Sequence, residues 1–429
     1  MRRAYLDNNA TTPLAPEVFE AMKPYWLDDY GNASSIHWYG QRAKAAMEGA
    51  REEVALLIGA QPKEVVFTGG GTESDNAAIF GVVGAAKSPS KHVVTTTIEH
   101  HAVLSATRAL EQRGVSVAYV TVDSSGVVDP ADVERAIRPN TVLITIMHAN
   151  NELGTIQPIE EVGRIAREHD VWFHTDAVQT AGKIPLDVNT LGVDLLSLSA
   201  HKLYGPKGVG ALYIRRGTPL SPLLYGGHHE RDRRAGTENV PGIVGLGKAA
   251  ELAREQRQDE AIRVAALRDR LEEGILRSVP LASTNGDPHR RMPGTTNISF
   301  EGIEGEGLVI ALDLRGVACS TGAACSSGSI EPSHVLTALG KTREQARSSL
   351  RFSFGRYSAP EDVDYSLAVL PEVAERLRAL SPNGKETVRK EAVSHQLSAI
   401  SAASGEERIA SRGDRATHDS RLATHDLLN

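Results

Sequence analysis

The protein has 429 residues, of which 41% are hydrophobic and 24% are charged. At roughly 100–200 residues per domain, this length predicts two or three domains. The 47 basic and 54 acidic residues give a net charge of -7, which argues against nucleic-acid binding driven by overall charge. No apolar run approaches the roughly 18–20 residues that span a bilayer, and no apolar signal-peptide core follows the first residues. We therefore expect a cytoplasmic protein without membrane contact.

Short β-branched runs alternate with helical stretches between residues 65 and 214. The run at 141–147 is continuous and mostly apolar, as expected of a buried strand in a mainly parallel sheet. Helical patterns lie between several runs, for example at 102–113 and 160–169. The alternation predicts an α/β domain with helices on both faces of the sheet. The predicted strands cover residues 65–68, 93–96, 115–120, 141–147, 171–175, 195–198 and 209–214.

The second half of the chain has a different pattern. A long, charged helix is predicted over residues 239–277, and mixed short strands and helices follow it to about residue 380. This part predicts a second, smaller α+β domain. Residues 381–429 are rich in Ser, Ala, Arg and His, with almost no aromatic residues, and residues 386–400 could form an amphipathic helix. We expect the rest of this segment to be a disordered tail without a catalytic role.

A glycine-rich turn at residues 69–71 follows a predicted strand and precedes a helical pattern. Glycines let backbone amides approach an anion, and a helix N-terminus adds partial positive charge. Gly71 could supply an amide, and Thr72 could add a hydroxyl. Taken alone, these residues are equally consistent with a phosphate site and with a plain tight turn.

Lys202 lies just past a predicted strand end, after Ser199 and His201 and before a Gly-Pro turn. A lysine amine becomes nucleophilic when burial or nearby cations lower its pKa. Lys202 is therefore a candidate for a Schiff base with a carbonyl cofactor. The alternative is a surface lysine in a loop, which is the usual case for a lysine out of context.

Asp176 ends an apolar strand, and open α/β sheets place ligands at that edge. A buried carboxylate there needs a cationic partner, and the alternative is a cap for the next helix. The protonated ring nitrogen of pyridoxal phosphate (PLP) is such a partner, and the pairing keeps the ring an electron sink. Since Thr72, Asp176 and Lys202 each follow a strand of the same predicted sheet, together they predict a PLP site much more specifically than any one alone.

Matching motifs from residue 5 to about 365 give the sequence a family resemblance. They are YLDNNATT (5–12), GNASSIH (31–37), TESDN (72–76), EH (99–100), NNELG (150–154), RAGTEN (234–239) and RFS (351–353). The set resembles the cysteine desulfurases of the NifS/IscS type, within the fold-type-I PLP-dependent transferases. The resemblance implies an α/β fold: a large domain at 15–255 with a mainly parallel seven-stranded sheet, and a smaller α+β domain formed by 1–14 and 256–380.

The resemblance also implies how the cofactor is held. Lys202 would carry PLP covalently, Asp176 would pair with the ring nitrogen, and Gln179 would bond the ring hydroxyl. Thr237 would reach the phosphate of the neighbouring subunit, which implies a homodimer. The other implied cofactor-binding residues are Gly71, Thr72, Asn151, Ser199 and His201.

Further residues would act on the substrate. By the same resemblance, His100 would stack on the ring and shuttle protons, and Lys202 would remove the α-proton. Asn32, Asn151 and Arg351 would position the substrate, with Arg351 forking onto its carboxylate. Two alternatives come from the residues themselves: His100 could be a helix-start residue, and Arg351 could form a structural ion pair.

The implied activity removes sulfur from free L-cysteine to give L-alanine and a persulfide on a cysteine. Residues 317–329 contain both cysteines in a small, polar stretch with two glycines, which we expect to be mobile and open. Cys325 lies between the glycines, where the persulfide cysteine of the family falls, so we predict Cys325 as the catalytic acceptor. Cys319 follows an apolar pair at a predicted strand end, which favours a small packed residue.

The resemblance implies that the sulfur goes to an iron–sulfur scaffold protein. Cys325 could act as one ligand of an iron–sulfur cluster that the two proteins share. A metal site formed by Cys319 and Cys325 lacks nearby partners with metal-ligand spacing. Supply of nitrogenase clusters and general iron–sulfur supply both stay open. Two other functions also stay open, a selenocysteine lyase or another PLP transferase, and a non-enzymatic sulfur carrier or assembly scaffold.

Overall fold

The computed structural model describes residues 2–321 and 332–381. Cys325 and the predicted tail after Ser381 lie outside the described residues. The strands are β1 (Ala4–Tyr5), β2 (Val65–Thr68), β3 (His92–Thr96), β4 (Ser116–Val120), β5 (Thr141–Thr145), β6 (Trp172–Asp176), β7 (Leu195–Ser199), β8 (Gly210–Ile214), β9 (Ala282–Asn285), β10 (Thr295–Phe300), β11 (Val317–Ala318) and β12 (Ser349–Ser353).

The helices surround these strands, and within the described ranges none is both long and apolar enough to cross a membrane. They are α1 (Pro16–Met22), α2 (Pro24–Leu27), α3 (Trp38–Ile58), α4 (Gly71–Ala85), α5 (His101–Glu111), α6 (Pro130–Ala136), α7 (Ile159–Glu168), α8 (Val188–Leu191), α9 (Val240–Ser278), α10 (Gly305–Leu314), α11 (His334–Ala338), α12 (Arg343–Arg347) and α13 (Pro360–Leu380). Short 3-10 turns cover Pro62–Glu64, Ala200–Lys202 and His229–Asp232.

A seven-stranded sheet lies at the centre of the first half of the chain, in the order β2-β8-β7-β6-β5-β3-β4. The strands from β7 to β4 pair in parallel, whereas β8 is antiparallel to both β7 and β2. All seven predicted strands are present, although β5 ends at Thr145 rather than at Met147. The predicted α/β fold with a mainly parallel seven-stranded sheet is confirmed.

Alternate side chains of the central strands pack on opposite faces of the sheet. In β2, Val65 and Phe67 belong to one buried cluster and Val66 to another. In β7, Leu196 and Leu195 divide between the same two clusters. The first cluster also contains residues of α3, α7 and α9, and the second contains residues of α4 and α5. Because successive strand residues point to opposite faces, both faces need a helical cover.

Helix α9 connects this sheet core with a second hydrophobic core. Its first part contributes Leu246 and Ala253 to the sheet core, and its second part contributes Val264 and Leu271 to the other. The second core also packs residues of α10, α13 and the sheet β12-β10-β9, and β1 pairs with β11 beside it. At 1.5 Å per residue, the 39 residues of α9 extend over about 58 Å. We propose that the two cores are two domains, at 15–255 and at 1–14 with 256–380.

A buried ion pair holds the edge of the sheet to helix α3. The guanidinium of Arg51 donates two hydrogen bonds to the Glu230 carboxylate, at 2.7 and 2.8 Å. Their side chains are 4% and 3% exposed. Glu230 also accepts from the amide of Phe67 at 2.9 Å, and Arg51 donates to the carbonyl of Val65 at 2.9 Å. The pair therefore connects β2, α3 and the turn at His229–Asp232.

Replacing Arg51 with alanine should lower the free energy of unfolding by about 3–5 kcal/mol, because it leaves the Glu230 carboxylate buried without its cation. Urea denaturation followed by circular dichroism measures this loss. Arg164 is the matched control, since its pair with Glu168 is exposed and its replacement should cost less than about 1 kcal/mol. Equal unfolding midpoints for the two variants would contradict the prediction.

Candidate active site

The carboxyl ends of the parallel strands surround a cavity of about 340 Å³. Ligands bind at this edge in open α/β sheets. Asp176 ends β6 and Ser199 ends β7, so both point at the same space. The lining residues that the sequence predicted are Gly71, Thr72, His100, Asn151, Asp176, Gln179, Ser199, His201, Lys202 and Arg351. The others are Asn9, Ala10, Asp75, Met147, Ala149 and Val178.

Three predicted site residues are not among those that line the cavity. Thr237 is exposed, as expected of a residue assigned to the site of a neighbouring subunit. Asn32 is also exposed, and its Oδ1 accepts a hydrogen bond from the amide of Ser34 at 2.8 Å. Cys325 lies outside the described residues. Within the described residues, one chain therefore brings together all the predicted cofactor-binding residues except Thr237, and the predicted substrate residue Asn32 lies apart from them.

The N-terminus of α4 borders the cavity. The helix starts at Gly71 and has no side-chain cap from Gly70, so the first-turn amides are available to a ligand. A Cβ atom on Gly71 would lie 2.7 Å from Cγ2 of Val178, so only glycine permits this close approach. Together with the hydroxyls of Thr72 and Ser199, this helix start fits a phosphate group.

Asp176 provides a buried acid group in the same cavity. It is 6% exposed, and its Oδ1 accepts a hydrogen bond from the amide of Val178 at 2.9 Å. Burial raises the pKa of Asp176 to about 6, while the Val178 amide and the positive charge of Lys202 act in the opposite direction. A carboxylate so buried is stabilised by a cation, and a protonated ring nitrogen fits that requirement.

The N-terminal segment of the chain crosses the cavity beside Lys202. Nζ of Lys202 donates hydrogen bonds to the carbonyl oxygens of Asn9, at 2.5 Å, and Ala10, at 2.7 Å. Nε2 of Gln179 donates to the same Asn9 oxygen at 3.0 Å. The side-chain amide of Asn9 donates, also at 3.0 Å, to Oγ1 of Thr295 in β10, a strand that packs into the second core. Residues 9 and 10 therefore connect the lysine to both cores of the protein.

His100 both lines the cavity and caps the N-terminus of α5. Its Nδ1 accepts a hydrogen bond from the amide of Ala102 at 3.1 Å, so the predicted alternative of a helix-start residue holds together with a place in the site. Burial first, and then the positive charge of Lys202, lower the pKa of His100 to about 4. The ring is therefore neutral near pH 7, and the accepting role of Nδ1 assigns its hydrogen to Nε2.

Arg351 forms the structural ion pair that was one of its two sequence interpretations, and it also faces the cavity. It lines the cavity, and it donates to Oδ1 of Asp7 at 2.7 Å and to the carbonyl of Asn151 at 2.9 Å. Its Nε is buried without a hydrogen-bond partner in the described part of the chain. The guanidinium is thus held in a fixed direction by one carboxylate while it retains donors for another, as a clamp for a carboxylate substrate requires.

Cys319 is a packed residue, as the sequence indicated. It belongs to the second hydrophobic core, and burial, with a smaller contribution from the Asp7 charge, raises its thiol pKa far above the usual range. A thiol that is protonated and enclosed is a poor nucleophile. The described residues contain no cluster of three or more His, Cys, Asp or Glu side chains that could hold a metal ion.

The lining residues that sequence reasoning missed are of two kinds. Met147 and Ala149 follow the carboxyl end of β5, and Asp75 lies one helical turn after Thr72, so the strand-end rule and helix periodicity could have found them. Asn9 and Ala10 carry no such local signal, because they reach the site over more than 190 residues of intervening chain.

As a whole, the cavity fits PLP. A helix start and hydroxyls suit its phosphate, Asp176 suits its ring nitrogen, and Lys202 suits its aldehyde. His201 adds a further polar group to the wall, and its Nδ1 lies 3.1 Å from Oγ1 of Thr11. Arg351 then remains for the carboxylate of an amino-acid substrate.

Comparisons with known proteins agree with this chemistry. Residues 4–365 match the aminotransferase class-V family. A cysteine desulfurase IscS from Dictyoglomus turgidum is 52% identical over 385 residues, which are 90% of this chain and 98% of the relative. A cysteine desulfurase IscS from Methanosarcina thermophila is 52% identical over 381 residues, which are 89% of this chain and 94% of the relative.

Solved structures show the same likeness. A NifS-like protein superimposes with a TM-score of 0.83 and 41% sequence identity, and the match covers 88% of this chain and 100% of that one. A structure described as SspA in complex with cysteine has a TM-score of 0.73 and 41% identity, over 83% of this chain and 100% of that one. By family match, identity and coverage, this chain belongs to the class-V aminotransferase family and, within it, to the cysteine desulfurases.

Proposed function

We propose that this protein is a PLP-dependent cysteine desulfurase that converts L-cysteine into L-alanine and receives the sulfur atom on Cys325. The observation that carries the proposal is that Lys202, Asp176 and Arg351 line one cavity, in a chain 52% identical to IscS relatives. The reaction balances without a further reactant. The thiol of Cys325 and free cysteine give a persulfide and alanine, with the thiol hydrogen retained in the products.

The chain's own residues would divide the work as follows. When bound, PLP supplies a carbonyl group for the substrate amine and a ring that accepts electrons from the substrate Cα. Asp176 holds a proton at the ring nitrogen, and the start of α4 binds the phosphate. Lys202 holds the cofactor before substrate arrives and moves the Cα proton at its Nζ. Arg351 binds and orients the substrate carboxylate.

His100 suits a proton shuttle because it is neutral near pH 7. Burial and the charge of Lys202 lower its pKa to about 4, and its Nε2 carries the hydrogen while Nδ1 accepts from the Ala102 amide. The neutral ring can therefore donate a hydrogen bond from Nε2, and it can pass on the Nε2 proton only if Nδ1 takes up another in the same step. The thiolate of Cys325 is the group that attacks the substrate sulfur.

Arg351→Lys should raise the KM for cysteine about 10- to 100-fold and change kcat less, because lysine keeps the charge but loses the two-pronged contact with a carboxylate. Steady-state kinetics with cysteine measure this split. Arg347→Lys is the matched control, since Arg347 pairs with Glu304 near the surface and does not line the cavity. An unchanged KM would contradict substrate binding by Arg351 and would leave its ion pair with Asp7 as its role.

The activity itself is tested with the PLP-loaded protein, L-cysteine and dithiothreitol. We expect alanine and sulfide in equal amounts, detected by amino-acid analysis and by a colorimetric sulfide assay. Pyruvate and ammonia in place of alanine would indicate a different PLP reaction. The absence of any product from a protein with bound PLP would overturn the proposed function.

The active protein is a homodimer in which Thr237 of each copy reaches the phosphate site of the other. An exposed aromatic cluster supports this arrangement: Tyr30 and Trp38 are 68% and 61% exposed, and Tyr39 contacts both, with ring centroids 5.5 Å from Tyr30 and 4.9 Å from Trp38. Monomeric proteins rarely expose a large apolar patch, and aromatic residues are enriched at interfaces. Sedimentation equilibrium should give twice the mass of one chain, and a single-chain mass would contradict the dimer.

The persulfide sulfur passes to an iron–sulfur scaffold protein in the cytoplasm. Two observations support this destination. A persulfide carries sulfur in a form that a second thiol can accept. The chain is also similar to the IscS relatives. Radiolabelled sulfur from cysteine should first appear on this chain and then on an added scaffold protein. Label that stays on this chain with every scaffold tested would overturn this destination.

A further inference from the structure

A second acid group, Asp75, faces the cavity together with Asp176. It lies in the first turns of α4, whereas Asp176 ends β6, and both line the same space. Asp75 is 1% exposed. The roles proposed above use Asp176 alone, so the site contains a buried carboxyl group without an assigned task.

The two carboxyl groups differ in the hydrogen bonds that they accept. Oδ1 of Asp176 accepts from the Val178 amide at 2.9 Å, and the positive charge of Lys202 favours its ionised form. Oδ1 of Asp75 is buried and has no hydrogen-bond partner among the described residues. The hydroxyl of Ser197 is the group that favours the ionised form of Asp75. Since a carboxylate needs donors on both oxygens, these surroundings suit an ionised Asp176 and a neutral Asp75.

No neighbouring cation changes this balance for Asp75 within the described residues. Nε2 of His174 is 3.7 Å from Oδ1 of Asp75, beyond hydrogen-bond distance. The imidazole already contacts Oγ1 of Thr145 at 2.8 Å and Oγ of Ser197 at 2.9 Å. Burial lowers the pKa of His174 to about 3, so the ring is neutral and is no counter-ion.

Within the described residues, the other titratable groups around the pair do not favour an ionised Asp75. Burial raises the pKa of Asp75 well above its usual range, and the negative charge of Asp176 raises it further, with a smaller contribution from Glu99. Burial also raises the pKa of Glu99 to about 8, so Glu99 is itself neutral at pH 7. His100 is neutral as well, and the cation of Lys202 acts on Asp176.

We propose that Asp75 is a positioning residue that stays protonated in the cofactor-loaded protein and leaves Asp176 as the single anion facing the ring nitrogen. The inference rests on the proposed function only in that PLP occupies this cavity. Two ionised carboxylates in one buried site repel each other, and a proton on Asp75 removes the repulsion.

Infrared spectroscopy of the unaltered, PLP-loaded protein tests the protonation directly. At pH 7 we expect a carbonyl stretch from a buried protonated carboxyl group that shifts when the chain is produced with ¹³C-labelled aspartate. Glu99→Gln should keep this label-sensitive band, whereas Asp75→Asn should remove it. Because the labelled protein carries no substitution, absence of a label-sensitive acid band would overturn the proposal even if a variant fails to fold.

A second readout follows the visible absorbance of bound PLP as a function of pH. Asparagine has the shape of a neutral carboxyl group, so Asp75→Asn should move the midpoint by less than about 0.3 pH unit, and Asp75→Ala should move it further by admitting water. A shift of about one unit or more in Asp75→Asn would show that Asp75 carries a charge, and would overturn the proposal. A protein that binds PLP but forms no alanine would overturn the proposed function and leave both readouts valid.

Discussion

Lys202→Ala should abolish alanine formation from cysteine, with a loss of at least about 10²–10⁴-fold. On the proposed roles, one atom would lose two tasks together, because Nζ of Lys202 would both hold the cofactor and move the Cα proton. The amine is already placed in the cavity by the carbonyls of Asn9 and Ala10. Borohydride reduction followed by peptide mass spectrometry should find PLP fixed to Lys202 in the unaltered chain and to no peptide of the variant.

Two further variants separate charge from nucleophilicity at this position. Lys202→Arg keeps a positive charge beside Asp176 but cannot bond to the cofactor aldehyde, so it should be as inactive as Lys202→Ala. Lys207→Ala is the matched control, since Lys207 lies exposed in the same loop and does not line the cavity. Substantial activity in Lys202→Arg would contradict the assigned role of the lysine.

The fold was predictable because its strands are short and buried, with helical patterns between most of them. The run at 141–147, for example, is apolar without alternation, as a strand covered on both faces must be. The antiparallel direction of β8 was harder to predict, because the residues within a strand do not indicate which way the strand runs. The physical cause is the connection: β8 follows β7 after only residues 200–209, too few for the crossover of a dozen or more residues that a parallel pair needs.

The site was predictable where chemistry follows a strand end. Asp176 is the last residue of β6 and Lys202 lies three residues past the end of β7, and the rule that ligands bind at that edge brings them together. The same rule says nothing about Asn9, whose contact with Lys202 depends on how the N-terminal segment is fixed to the second core. It also cannot show that Arg351 already has a carboxylate partner in Asp7, because that pair joins residues 344 positions apart.

Cys325→Ala should reduce sulfur transfer by at least about 100-fold while PLP binding and its absorbance stay intact. The cofactor roles proposed for Lys202 and Asp176 require no cysteine, so the substrate should still enter and only the sulfur acceptor should be lost. Mass spectrometry of the unaltered protein after one turnover should find one extra sulfur atom on the peptide that contains Cys325.

Cys319→Ala is the matched control within the same segment. Cys319 is packed in the second core, and burial keeps its thiol protonated, so the variant should keep activity within about twofold and lose only a little stability. Loss of activity in Cys319→Ala with full activity in Cys325→Ala would reverse the assignment. Full sulfide release by both variants would mean that the sulfur leaves cysteine without a protein thiol. The pair of variants therefore decides whether the chain is a sulfur transferase or a PLP lyase.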